Sequence, residues 1–86
     1  MVNSLSSLVK HIVLSDYVTE IKHTNRYVVK SGNLKPKWVH YKTLKSSDEE
    51  QIHSHIQTCK YQYPESDILL KAYDSDTEMI EIYKIL

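Results

Sequence analysis

Apolar residues recur at helical spacing in two stretches of this chain and at alternating spacing between and after them. Leu5, Leu8, Val9, Ile12 and Val13 fall at i, i+3, i+4, i+7 and i+8. That stripe predicts a first helix of about ten residues, capped by Asn3 or Ser4 and ended by Ser15-Asp16. The texture then turns β-branched and aromatic. Residues 17–23 alternate, with Tyr17, Thr19 and Ile21 on one side, and Thr24-Asn25 marks a turn. Residues 26–31 read as a second strand around Tyr27-Val28-Val29. Gly32-Asn33 reads as the next turn, because the only glycine of the chain can adopt positive φ. Residues 37–43 read as a third strand, with Trp38 and His40 on one face and Val39 and Tyr41 on the other. Pro36 fits only at its start or at an edge.

The second helix is predicted over residues 47–61. Ser47-Asp48-Glu49-Glu50 reads as a capping box of Ser47 with Glu50, and its three carboxylates sit at the positive end of the helix dipole. Ile52, Ile56, Cys59 and Tyr63 make the apolar face, and Pro64 stops the helix. Residues 67–73 are a strand, residues 74–77 a turn, and residues 78–86 the returning strand with Ile80, Ile82 and Leu86 on one face. Ile52, Ile56, Ile68, Leu70, Ile80 and Ile82 are expected to converge as a core. The order is αβββαββ, which predicts an α+β fold: a mainly antiparallel five-stranded sheet with two packed helices. No repeat, linker or low-complexity segment interrupts residues 1–86, so they read as a single domain.

Composition narrows the function classes. Apolar residues make up 41% of 86 residues and are periodic, as in a folded chain rather than a disordered one. No run of about 18 apolar residues is present, so no membrane span is expected. The N-terminus lacks the basic flank and apolar stretch of a secretory signal. Cys59 is the only cysteine, which excludes an internal disulfide and fits a reducing compartment, so a cytoplasmic location is expected. Formal net charge is zero, yet the charges are sorted. Lys22, Arg26, Lys30, Lys35, Lys37, Lys42 and Lys45 give residues 21–47 a charge of +7 with no acid. Residues 48–86 carry nine acids against Lys60, Lys71 and Lys84, for −6. Such asymmetry selects partners in a way the total does not.

Three kinds of chemistry follow from these patterns. In the basic stretch, cations alternate with rings: Arg26, Lys30, Lys35, Lys37, Trp38, Tyr41 and Lys42. Cations on phosphates with rings stacked on bases would make a nucleic-acid surface. The competing reading is a solvated sheet face whose aromatics are strand formers packed on the core. His55 and Cys59, four apart, would lie on one helical face as metal ligands. Cys59 shares that face with Ile52 and Ile56, where a thiol acts as a small hydrophobe, so no metal is expected. Catalysis is not expected either. There is no nucleophile elbow, phosphate-cradling glycine loop or H-E-x-x-H, and Glu65, Asp67, Asp74 and Asp76 sit where turns call for Asp and Ser. No cofactor is implied.

The run Pro64-Glu65-Ser66-Asp67-Ile68-Leu69, followed by Ala72-Tyr73-Asp74, resembles the uracil-DNA glycosylase inhibitors of phages. Those are small α+β proteins with a near-identical run after an acid-led second helix, which corresponds here to Asp48-Glu49-Glu50. The family's inserting strand is led by Glu-Ser-Ile-Leu, whereas residues 41–44 here read Tyr-Lys-Thr-Leu. The resemblance implies a small non-catalytic inhibitor, encoded by a phage or mobile element. Its protein partner would be a host DNA-processing or defence enzyme. Glu49, Glu50, Glu65 and Asp67 would be the contact acids. The alternative is a nucleic-acid-binding domain using the basic sheet of residues 22–45, and a third reading is dimerisation through a sheet edge.

Overall fold

The computed structural model describes residues 4–86. The elements are α1 (Ser4–Ser15), β1 (Val18–Thr24), β2 (Tyr27–Lys30), β3 (Asn33–Pro36), β4 (Val39–Leu44), α2 (Glu49–Gln62), β5 (Asp67–Tyr73) and β6 (Ile80–Ile85). The fold is α+β, with two helices and an antiparallel sheet, as the hydrophobic pattern predicts. Four strands form one sheet in the order β4-β1-β5-β6, while β2 and β3 stand apart as a two-stranded ribbon.

The ribbon is where the detail departs from the expected five strands. Ser31 and Gly32 both have positive φ, 50° and 79°. Two consecutive residues of that kind make the hairpin turn that matches strand twist. The chain therefore reverses at Ser31-Gly32, one residue before the expected Gly32-Asn33, and Asn33 already pairs with Lys30. Asn33–Pro36 becomes a strand in its own right. Pro36 closes it opposite Tyr27, at an edge where its missing N–H costs nothing.

Strand β1 is central. It pairs with β5 along its whole length, from Val18↔Tyr73 to Thr24↔Asp67, and with β4 on its other side. Alternation then divides the sheet into two faces. Thr19 and Ile21 share one with Leu70, Ala72 and Ile82, and there the sheet meets Val9 and Ile12 of α1 and Ile52, Ile56 and Cys59 of α2. The opposite face carries Val18, Glu20 and Lys22 of β1 with Leu69, Lys71 and Tyr73 of β5. No helix covers that face.

Local chemistry sets the helix ends. Asp16 takes φ 55° after α1, and the N–H groups of Asp16 and Tyr17 bond the carbonyls of Val13 and Ile12 at 3.2 and 3.1 Å. This is the Schellman closure, with Asp in the place usually held by Gly. Asn3, one expected N-cap of α1, lies outside the described residues. At α2 the capping box is shifted by one residue from the expected Ser47/Glu50 pair. Asp48 is the N-cap and accepts the Gln51 N–H at 2.8 Å, while Gln51 Oε1 accepts the Asp48 N–H at 3.1 Å. Asp and Ser both cap well, and Asp48 places Ile52, Ile56 and Cys59 inward. Asp48→Ala is therefore expected to lower stability by about 1 kcal/mol in denaturant melts, and Ser47→Ala by only a few tenths. Equal losses would return the cap to Ser47.

One expected core residue is displaced. Ile80 is 52% exposed, while Ile52, Ile56, Ile68, Leu70 and Ile82 are buried. The register between β5 and β6 slips at Ala72/Tyr73, so Ala72 faces Ile82 but Tyr73 faces Ile80. The extra residue on β6, Glu81, is a bulge. It moves Ile80 to the helix-free face, which strict alternation cannot anticipate.

Candidate functional site

The four candidate contact acids fall in two pairs at opposite ends of α2. Glu49 and Glu50 lie in the first turn of α2, and Glu65 and Asp67 follow its far end. Fourteen helical residues at about 1.5 Å each separate the two pairs by roughly 21 Å. Asp67 is moreover engaged within the fold, because the Tyr27 hydroxyl donates to its Oδ2 and ties the ribbon to β5. That hydrogen bond, with lesser help from desolvation and the neighbouring charge, raises the Tyr27 pKa above its ordinary value. Glu50 lines a shallow concavity of about 210 Å³ with Asp48, Gln51, Ser54 and His55.

The basic candidates fall on the ribbon and on β4. Register places Lys35 opposite Val28, and Lys37 beside Arg26, whose carbonyl accepts the Lys37 N–H at 2.9 Å. Arg26, Lys35 and Lys37 thus share one side of the ribbon by alternation, and Tyr27, Val29, Leu34 and Pro36 the other. Lys30 pairs with Asn33 through its backbone, and its side chain lies outside the described residues. Lys42 is exposed on the edge strand β4. The two aromatic candidates are not free stacking platforms. Tyr41 packs against the core and meets Tyr63 edge-on at 6.3 Å. Trp38 is half-buried, and its indole N–H is enclosed with no hydrogen-bond partner among the described residues.

Beside this ribbon is a cleft of about 220 Å³ lined by His23, Thr24, Asn25, Arg26, Lys37 and Val39. The His23 ring lies flat on Tyr63, with centroids 3.8 Å apart, and burial lowers its pKa from the ordinary 6.5. On acidification the unfolded chain takes up this proton first. The His23 contribution to stability is therefore complete above pH about 6.5 and drains away as the pH falls from there through the folded-state value. Thermal melts between about pH 7.5 and 5.5 are expected to show a loss on acidification that His23→Phe, which keeps the stack, reduces. An identical slope in the variant would remove His23 as its source.

Alternation left a further surface hidden. On the helix-free face, Ile80, Tyr83 and Ile85 of β6 are 52%, 56% and 53% exposed, with Met79 beside them at 62%. They face Tyr73, Lys71 and Leu69 of β5. Further in, Glu20 Oε1 lies 3.6 Å from Lys71 Nζ and 3.8 Å from Lys22 Nζ, so charge covers the centre and apolar groups the edge. β6 ends the sheet, with one side unpaired among the described residues. The signal was present in the sequence as Ile80, Tyr83 and Ile85, but without the bulge it reads as a strand with one core face. As for metals, Cys59 is sealed in the core, and the described residues contain no group of three or more His, Cys, Asp or Glu side chains placed to hold an ion.

No protein-family model matches this chain, and no curated protein matches it. Among solved structures, a chain of Rubisco from Galdieria partita is similar, with a TM-score of 0.71 at 14% identity. The match covers 95% of this chain and 59% of that one, so this chain spans a little over half of its structural neighbour. At that identity the likeness is one of fold. No described helix is long and apolar enough to cross a membrane.

Proposed function

We propose that this chain is a small non-catalytic protein-binding module that docks through β6 and the helix-free face beside it. The observation that carries this reading is the exposed row Ile80, Tyr83 and Ile85 on an edge strand. Contiguous apolar surface on a small domain marks an interaction site, and an unpaired edge supplies backbone hydrogen bonds to an added strand. Exposed aromatic and aliphatic anchors flanked by charge are the usual make-up of an interface centre. In its specific form the module inhibits a nucleic-acid-processing enzyme. The Pro64–Asp74 resemblance supports this, with Glu65 as the contact acid of that run not engaged by Tyr27. Glu49 and Glu50, at the other end of α2, would reach a target only if it spans both ends.

The test uses purified uracil-DNA glycosylase, from the sequence resemblance, as bait. Titration calorimetry of it against the wild-type chain and against Ile80→Lys/Ile85→Lys reads the interface directly. Binding to the bait is expected to weaken at least about thirtyfold in the double variant, since a central anchor contributes 2 kcal/mol or more. Its melting temperature should stay near wild type because both side chains are already half exposed. Unchanged affinity in the variant moves the docking surface elsewhere, and silence from the bait removes uracil-DNA glycosylase as the target.

The ribbon favours a second reading, a nucleic-acid-binding domain. Arg26, Lys35 and Lys37 on one side of a separate two-stranded ribbon form a compact cationic strip, and such ribbons fit the major groove. Binding to a DNA duplex is then expected to fall steeply with salt, and Lys35→Gln/Lys37→Gln to flatten that slope. No binding at low salt would retire it.

A further inference from the structure

The cleft between the β1–β2 turn and the start of β4 differs from the rest of the basic surface in being concave and framed by fixed backbone. Arg26 and Lys37 stand beside each other at its rim, joined by the 2.9 Å hydrogen bond from the Lys37 N–H to the Arg26 carbonyl. Thr24 holds the same residue from below. Its hydroxyl oxygen accepts the Arg26 N–H at 3.1 Å, and its hydroxyl donates to the Arg26 carbonyl at 2.9 Å. Thr24 is 2% exposed, so this clamp is built into the fold and not a surface accident. His23 also lines the cleft, and its ring is stacked on Tyr63.

Charge in the cleft is unbalanced. No carboxylate lines it, and among the described residues neither Arg26 nor Lys37 has an acid within ion-pair distance. Asp67, the acid that pairs with Thr24 in register, already accepts the Tyr27 hydroxyl. Two cationic residues thus line a recess whose volume of about 220 Å³ is roughly that of seven waters. A guanidinium fork matches two oxygens of a tetrahedral anion, and an ammonium adds a point charge. Asn25, whose side chain carries an amide donor, is a further lining residue.

We propose that this cleft is a binding site for a phosphate group, with Arg26 and Lys37 as its charged ligands. The proposal shares the cationic strip of the nucleic-acid reading but does not need a polymer. The phosphate belongs either to a small phosphomonoester or to a nucleic-acid backbone. Framing by the Thr24 clamp and the His23 stack reduces the ordering lost on binding, which sets this recess apart from a flat basic surface.

Amide NMR titration of the folded chain with inorganic phosphate at low salt tests it, followed by titration with a short single-stranded oligodeoxynucleotide. Shifts are expected at residues 23–26 and at Lys37 and Val39. Arg26→Gln and Lys37→Gln should each weaken binding roughly tenfold, the effect of losing one charge-assisted contact, while Lys10→Gln on α1 should change nothing. Arg26 and Lys37 are exposed, so the variants should melt as wild type. If phosphate binds in the cleft and the oligonucleotide binds no tighter, the site stands for small phosphomonoesters and the polymer reading fails. If the oligonucleotide shifts the same residues at much lower concentration, the site stands with nucleic acid as its source. Oligonucleotide binding indifferent to both substitutions would overturn the cleft. Shifts spread evenly over all lysines, or no shift with either probe, would overturn it as well.

Discussion

Ile56→Ala is expected to lower the unfolding free energy by about 2–5 kcal/mol, the largest loss of any single truncation considered for this chain. Ile56 is fully buried in the middle of α2, facing the sheet, with Ile52 a turn before it and Cys59 a turn after. Removing three of its carbons takes away their burial and leaves a cavity that a helix packed on a sheet closes only in part. A domain of 86 residues has a total stability of roughly 4–13 kcal/mol on a per-residue basis, so the loss is a large share of the whole. In a chain of this size it corresponds to a fall in melting temperature of roughly 10–30 °C. Urea melts with an unchanged m-value would establish that the native state, and not the unfolded ensemble, is what changed. A variant that melts within a degree or two of wild type would remove Ile56 from the core.

Cys59 offers a second large effect, this time as a readout of opening. Its side chain is fully buried on the inner face of α2, and burial pushes its thiol pKa above the ordinary value. Both features suppress reaction with an alkylating reagent, because only the accessible thiolate attacks. Labelling then reports the population of opened molecules. At the low end of the expected stability it should run about a thousandfold slower than in the unfolded chain. Combined with Ile56→Ala, the rate should rise by roughly thirtyfold or more, up to the ceiling of about a thousandfold set by the unfolded chain. The two measurements check each other. If the wild-type thiol reacts as fast as the unfolded chain, the C-terminal part of α2 opens locally. If labelling is slow but insensitive to Ile56→Ala, opening at Cys59 is separate from global unfolding.

The helix stripes and the β5 strand were legible in the sequence because each is a local periodicity. Leu5 to Val13 and Ile52 to Cys59 repeat at a spacing only a helix converts into one face. Ile68, Leu70 and Ala72 alternate onto the same side of β5, where the structure buries them. Caps were legible to within one residue: Ser47 and Asp48 are both good caps, and inward placement of Ile52 and Ile56 favours Asp48. The turn at residues 31–33 was legible as a turn but not in its phase. Ser31 has positive φ without being glycine, and composition alone does not announce that.

Surfaces were much less legible than elements. Nothing in the order of residues says that β2 and β3 leave the main sheet, since pairing partners distant in sequence are chosen by the fold as a whole. The bulge at Glu81 follows from how β6 meets β5, and it turns Ile80 from an expected core residue into part of an exposed edge. The acids of α2 and of residues 65–67 are expected on neighbouring surfaces from the sequence, yet a helix of 14 residues lies between the two pairs. The sequence by itself determined the α+β class, the two helices, the central apolar strand and the sorting of charge, because each is written in spacing or composition within a short window. Strand order, the ribbon, the exposed β6 row and the cleft at Arg26 and Lys37 were decided only in the tertiary structure. They arise where segments far apart in the chain compete for the same edge or face, and that competition is settled by burial across the whole molecule.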